Sequence, residues 1–167
     1  MTEYVVLGGG QTGRSVARYW LEQGHKVCLM DTRAVAPGLA AFCRQHPQLD
    51  YHQSSIDLDR CRCAARVCIS PGISPHHPEL ATYLAAAKNL CTDIDLFMER
   101  QDQPVLAVTG SNGKSTVTMM TAELLRAQGL RVAVGGNIGY SVLDLLQQSY
   151  VFCVLELSSF QLFYSQP

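Results

Sequence analysis

Neither sign of charge prevails in this sequence: 13 lysines and arginines face 14 aspartates and glutamates, for a formal net charge of -1. The balance holds along the chain, with 10 basic and 10 acidic residues up to position 100 and 3 and 4 after it. A nucleic-acid binder concentrates positive charge on one face or segment, so no nucleic-acid partner is expected. Arg60, Arg62 and Arg66 are the local exception, and Asp57 and Asp59 beside them make that cluster read as a solvated face. No run approaches ~18 apolar residues, and no basic segment precedes the apolar start of MTEYVVLGGG, so neither a membrane span nor a secretory leader is expected. The seven cysteines are odd in number and irregular in spacing, unlike a disulfide framework. C-x-x-C, G-x-S-x-G and a Ser-His-Asp constellation are all missing. Cys61, Cys63 and Cys68 lack the paired spacing of a zinc knuckle and read as buried thiols. The expectation is a cytoplasmic chain of 167 residues, 47% hydrophobic, able to bury roughly two thirds of its unfolded surface without cross-links.

Short apolar runs alternate with helical patterns over the whole length, the pattern of a parallel α/β sheet. Strands are predicted at 4–7, 26–30 and 66–69, with a short one near Leu90. Helices are predicted at about 12–23, 39–44, 78–88 and 94–100. The polar stretch 100–103 and Pro104 read as a linker, and the series restarts: strand 105–108, helix 114–128, strand 131–134, loop 135–139, helix 142–147 and strand 151–155. Val117, Met120 and Leu124 form the apolar face predicted for the helix at 114–128. A domain over 1–100 and a second over 104–167 follow. The second has too few elements to cover both faces of a parallel sheet, so it is either very small or truncated.

Two glycine turns carry chemistry. Gly8, Gly10 and Gly13 fit G-x-G-x-x-G between a strand and a helix, where backbone N–H groups and the helix dipole favour phosphate. Asp31 ends the next strand, where an acidic residue meets a ribose hydroxyl. The alternative is that these glycines only permit tight strand-to-helix packing. The second turn is Thr109-Gly110-Ser111-Asn112-Gly113-Lys114-Ser115-Thr116. Its backbone can wrap a triphosphate, Lys114 can neutralise β and γ phosphates, and the Ser115 hydroxyl can hold Mg²⁺. Val108 stands where G-x-x-x-x-G-K-[ST] has its first glycine, so the motif is the variant G-x-x-G-K-S-T. Glu156 ends a buried strand, where phosphate-loop proteins place a metal-binding carboxylate; an exposed strand-end glutamate is the alternative. Asn137 shares that edge as a substrate contact or as a turn residue. His76 and His77 read as capping or solvent-facing.

GGGQTG, DTR at 31–33, SPGI at 70–73, TGSNGKST at 109–116, GGNIG at 135–139 and LELSSFQL at 155–162 together resemble the Mur ligase family, in order and over the whole chain. The resemblance implies a Rossmann-like N-terminal domain followed by the first part of a P-loop ATPase α/β domain. It implies an ATP-dependent amide-bond ligase of peptidoglycan synthesis that joins D-glutamate to UDP-N-acetylmuramoyl-L-alanine through an acyl phosphate, with ATP and Mg²⁺ as cofactors. By matching motifs, Thr12, Asp31, Thr32, Arg33, Ser70, Pro71 and Gly72 would line the UDP site. Asn137 and Gln161 would reach the substrate, and Gly110, Ser111, Asn112, Gly113, Lys114, Ser115 and Thr116 would bind ATP. Ser115 and Glu156 would hold Mg²⁺, with Lys114 and Glu156 catalytic. Family members run on into the rest of the ATPase and a C-terminal domain, so an N-terminal fragment with impaired catalysis and an aggregation-prone half sheet is expected. An NAD(P)-dependent oxidoreductase or sensor, resting on the first turn and Asp31, leaves GSNGKST unexplained. A UDP-sugar-binding module without turnover is the third reading.

Overall fold

The computed structural model describes residues 3–74, 76–78 and 80–165. Pro75 in the predicted 70–75 loop and Glu79 in the predicted 78–88 helix lie outside the described residues, as do residues 1–2 of the first predicted domain and 166–167 of the second. The chain divides into two compact units, Met1–Asp93 and Ile94–Pro167. No described helix is long and apolar enough to cross a membrane.

The first unit is a parallel sheet with strand order β3-β2-β1-β4-β5. Its strands are β1 (Glu3–Leu7), β2 (Lys26–Asp31), β3 (Asp50–Gln53), β4 (Arg66–Ile69) and β5 (Leu90–Cys91), joined by α1 (Gln11–Glu22), α2 (Leu39–Gln45), α3 (Leu58–Cys63) and α4 (Ala81–Ala86). β1 lies at the centre, and Val5, Val6 and Leu7 are wholly buried, as are Val27, Cys28, Leu29 and Met30 of β2. These continuous apolar runs are what a strand covered on both faces requires. Strand order reverses between β1 and β4, which pair Leu7 to Ile69. A crevice opens beyond the carboxyl ends of the strands at such a reversal.

Two elements here were not legible in the sequence. β3 is an edge strand, DYHQ, whose middle residues face solvent, so it has no apolar alternation to detect. α3 is short and charged; Asp57 caps it by accepting from the Arg60 backbone N–H at 3.0 Å. The helix predicted from Pro78 begins only at Ala81, after a turn in which the Leu80 N–H donates to the His77 carbonyl.

Arg60 differs from the expected solvated face. Its guanidinium donates to Glu3 Oε1 at 2.8 Å and also to Asp50, stitching α3 to β1 and to the edge strand. Cys28, Asp50 and His52 bring ligand-type atoms within 4.8 Å of one another. The Arg60 guanidinium bonds both Asp50 and His52, so this is an ion-pair network, and cationic charge already fills it. Arg60 pulls the Glu3 carboxyl down from 4.5 to about 2 against the opposing effect of burial, with Lys26 helping. A lowered folded-state pKa means the stabilisation is complete above pH 4.5 and lost as pH falls from there toward about 2. Glu3→Gln should therefore remove on the order of 1–3 kcal/mol of acid-sensitive stability from the first unit. Urea melts followed by the fluorescence of Trp20, the sole tryptophan, check this. Equal acid sensitivity in the two proteins would refute it.

The second unit has strand order β6-β8-β7, all parallel. It comprises β6 (Val105–Val108), α6 (Lys114–Ala127), β7 (Val132–Gly136), α7 (Val142–Leu145), β8 (Phe152–Glu156) and α8 (Ser159–Tyr164); α5 (Asp93–Met98) precedes β6. Gly135 and Gly136, expected in a loop, extend β7 and pair with Leu155 and Glu156. The apolar face read for α6 is not the one the sheet covers: Val117, Met120 and Leu124 are 50%, 60% and 68% exposed, whereas Thr118 and Ala122 are fully buried. Small side chains let the helix lie close to the sheet, and periodicity alone cannot tell which of two stripes the sheet covers.

Candidate functional site

At the β1–β4 crevice, the Gly8 N–H donates to the Met30 carbonyl at 2.7 Å and the Ser70 N–H to the Leu7 carbonyl at 2.8 Å. The glycine turn is thus bound to both neighbouring strands. A Cβ on Gly13 would lie 1.7 Å from the Gly8 carbonyl oxygen, so only glycine lets α1 start this close to β1. Gly10 caps α1 without a side-chain hydrogen bond, leaving the first-turn N–H groups to a ligand.

A cavity of about 340 Å³ opens there, lined by Gly8, Gly10, Asp31, Thr32, Arg33, Ser70, Gly72, Ile73, Ser74 and His77. Asp31, Thr32, Arg33, Ser70 and Gly72 from the sequence analysis therefore share one wall system; Thr12, in the first turn of α1, and Pro71 stand outside that lining. His77, read as a cap or a solvent-facing residue, belongs to the wall instead. Asp31 is 2% exposed. Its Oδ2 accepts from the Gly9 N–H at 2.6 Å and Arg33 Nη2 at 2.7 Å, and its Oδ1 from the Arg33 N–H at 2.8 Å and Nε at 2.9 Å. Burial raises the Asp31 carboxyl, but these bonds outweigh it and hold the group below its ordinary value. It is an anion that anchors both the glycine turn and Arg33.

In the second unit the turn Gly110–Gly113 leads into α6, whose N-cap Gly113 also provides no side-chain cap. Lys114 Nζ folds back onto the Gly110 carbonyl at 2.9 Å. Ser111, Asn112 and Thr116 are exposed around the same turn. Glu156, 2% exposed at the end of β8, accepts from Ser115 Oγ at 2.6 Å and from Asn137 Nδ2 at 2.8 Å. Three residues distant in sequence are thereby gathered where three parallel strands end. Burial pushes the Glu156 carboxyl up; the Ser115 and Asn137 bonds and the Lys114 charge together outweigh it and leave the group below its ordinary value. An ionised carboxylate beside a hydroxyl is a hard-oxygen donor set suited to Mg²⁺. Gln161 is buried in a capping box: its Oε1 accepts from the Ser158 N–H at 3.0 Å, and Ser158 Oγ accepts from the Gln161 N–H at 3.2 Å. The S-x-x-Q spacing was the available signal for α8.

Arg14 was also missed. Its Nη1 donates to the Gly9 carbonyl at 3.0 Å and to the Pro37 carbonyl at 2.6 Å. An arginine on an amphipathic helix has no sequence signature that separates it from an ordinary solvated charge.

The fold and these turns define a parallel α/β protein with a Rossmann-like unit followed by the start of a second α/β unit that opens on a glycine-lysine turn. A family model for the Mur ligase MurD-like N-terminal domain matches residues 2–92, and one for the Mur ligase middle domain matches residues 108–166. The chain belongs to the Mur ligase family. It is 44% identical, over 94% of its length, to a UDP-N-acetylmuramoylalanine--D-glutamate ligase of Hahella chejuensis, and 41% identical, over 95%, to that of Pseudomonas aeruginosa. It spans 35% of the length of each. Among solved structures, it resembles the UDP-N-acetylmuramate:L-alanyl-gamma-D-glutamyl-meso-diaminopimelate ligase of Neisseria meningitides in fold, with TM-score 0.54, 20% identity and coverage of 93% of this chain and 52% of that one. A pseudomurein peptide ligase type C from Methanothermus fervidus gives TM-score 0.51 at 24% identity, covering 95% of this chain and 33% of that one.

Proposed function

We propose that this chain carries the UDP-substrate site and the phosphate loop of an ATP-dependent, ADP-forming ligase that joins D-glutamate to UDP-N-acetylmuramoyl-L-alanine in the bacterial cytoplasm. The observation that carries this reading is the pair of uncapped helix starts behind glycine turns, the second beside the buried Glu156 carboxylate that gathers Ser115 and Asn137. The names of the curated relatives support the choice of substrate. In this reading Asp31, Thr32, Arg33, Ser70 and Gly72, with Thr12 and Pro71 at the margin, hold the UDP moiety. Residues 110–116 wrap the ATP phosphates, and Asn137 and Gln161 approach the substrate.

Ser115 and Glu156 would hold Mg²⁺, which supplies charge neutralisation at the β and γ phosphoryl oxygens. Lys114 releases the Gly110 carbonyl and meets the same developing charge. The L-alanine carboxylate oxygen takes the γ-phosphoryl group as the bond to the β-phosphate oxygen breaks, leaving ADP and an acyl phosphate. The D-glutamate amine then attacks the acyl carbon; a C–N bond forms as the acyl C–O bond breaks, phosphate departs with the former carboxylate oxygen, and the amine gives up a proton to solvent. Since the chain spans 35% of its relatives, the activity assigned to it by itself is binding of the UDP-sugar, and turnover is assigned to the full-length protein.

A thermal-shift titration checks the assignment. UDP-N-acetylmuramoyl-L-alanine at about 100 times its Kd should stabilise the first unit by roughly 2.7 kcal/mol, and Asp31→Ala should abolish the shift. Stabilisation by NADH alone would overturn the reading in favour of a redox protein.

A further inference from the structure

We infer that Arg14 is a positioning residue for the bound nucleotide, its guanidinium setting the orientation of the glycine turn that meets the diphosphate. This rests on the reading of the first cleft as the UDP site. Gly8, Gly9 and Gly10 are consecutive, and three glycines in a row give a turn the greatest backbone freedom available to it. Such a turn presents N–H groups to phosphate reliably only if something pins it.

The pins are on either side of Gly9. Its N–H is held by the buried Asp31 carboxylate at 2.6 Å, and its carbonyl by Arg14 Nη1 at 3.0 Å. The carbonyl of Gly9 and the N–H of Gly10 share one planar trans peptide and point in opposite directions. Fixing the carbonyl on Arg14 therefore fixes the Gly10 N–H away from Arg14, and Gly10 is a residue of the cavity wall whereas Arg14 is not. The same Nη1 reaches the Pro37 carbonyl at 2.6 Å, tying the turn to the 32–38 loop that begins with Thr32 and Arg33, which also line the cavity. Gly38 makes room for this: with φ at +78°, a Cβ there would sit 3.2 Å from Arg14 Nη1 and 3.3 Å from Cζ. The clamp thus holds two segments that line the cleft in register, from a residue that is not itself part of the lining.

The test is isothermal titration of the 167-residue chain with UDP and, separately, with uridine, for wild type, Arg14→Met and Arg14→Lys, alongside thermal melts. Arg14→Met keeps the length of the side chain without its donors. It should weaken UDP binding roughly tenfold, because the released glycine turn must then be ordered on binding, while uridine affinity stays nearly unchanged and the melting temperature falls only slightly. Arg14→Lys, with a cation that can still reach one carbonyl, should recover about a third of the wild-type UDP affinity. Unchanged UDP affinity in Arg14→Met overturns the inference while leaving the cleft assignment intact. Equal loss for UDP and uridine together with a lowered melting temperature also overturns it, since that is the signature of a purely structural arginine. If the wild type binds neither UDP nor the UDP-sugar, the cleft assignment fails and the inference falls with it.

Discussion

Gly13→Ala should destabilise the first unit by about 3–5 kcal/mol, the range reserved for a backbone clash with no flexible partner to yield. The alanine methyl would lie 1.7 Å from the Gly8 carbonyl oxygen and 3.2 Å from Val6 Cγ1. Both neighbours belong to the central strand or the turn that leaves it, and Val6 is wholly buried. Relief requires moving the start of α1 away from β1, which opens the crevice and separates the first-turn N–H groups from Asp31 and Ser70. Nucleotide affinity should be lost together with stability. Trp20 of α1, 2% exposed and edge-on to Tyr4 at 5.0 Å, reports the event. A urea transition followed by its fluorescence should move to much lower denaturant, and a shift worth under ~1 kcal/mol would mean that the Gly8 carbonyl retreats freely.

Glu156→Ala should have the second largest effect, confined to the second unit. The buried carboxylate accepts from the Ser115 hydroxyl and the Asn137 amide, and its removal deletes two charge-assisted hydrogen bonds that tie α6 and the end of β7 to β8, leaving the two exposed donors to water. Two hydrogen bonds to a charged acceptor, less the relief of no longer desolvating that carboxylate, make a cost of about 2–3 kcal/mol. Because the folded-state pKa of Glu156 lies below its ordinary 4.5, its contribution is complete above that pH and fades as pH falls through the lowered value. The difference between wild type and variant should therefore shrink in acid. Hydrogen exchange of the β6–β8 amides at neutral and acidic pH measures it; equal protection at neutral pH would show that the cluster is not holding the strand ends together. Glu156→Ala should also remove the Mg²⁺ dependence of any ATP binding, since it deletes one of the two proposed oxygen ligands.

The two glycine turns and the succession of strands and helices were legible because they are local. A strand that runs into G-x-G-x-x-G, or into TGSNGKST, states its own conformation: glycines where the chain must turn tightly, then a helix whose first N–H groups have no cap. The family followed from the same segments taken in order. Buried strands such as VVL at 5–7 and CVLE at 153–156 were readable as apolar runs. β3 was not, because a polar edge strand is defined by its neighbour β2 and not by its own pattern.

What only the tertiary structure decided is which groups meet. The position of Asp31 at a strand end is legible, but its four hydrogen bonds to Gly9 and Arg33 depend on the fold. The apolar stripe of α6 is legible but its exposure is not, Arg60 reads as a solvated charge although it bonds Glu3 and Asp50, and Arg14 carries no sequence sign at all. Helix periodicity sets the angle between side chains but leaves the rotation of the helix against its sheet free. Hydrogen bonds such as Ser115 to Glu156, 41 residues apart, depend on strand order. The sequence by itself determined the turns, the parallel α/β class and the family; the packing of strands β6-β8-β7 and β3-β2-β1-β4-β5 decided the partners, because long-range contacts are set by how elements stack and not by what each element is.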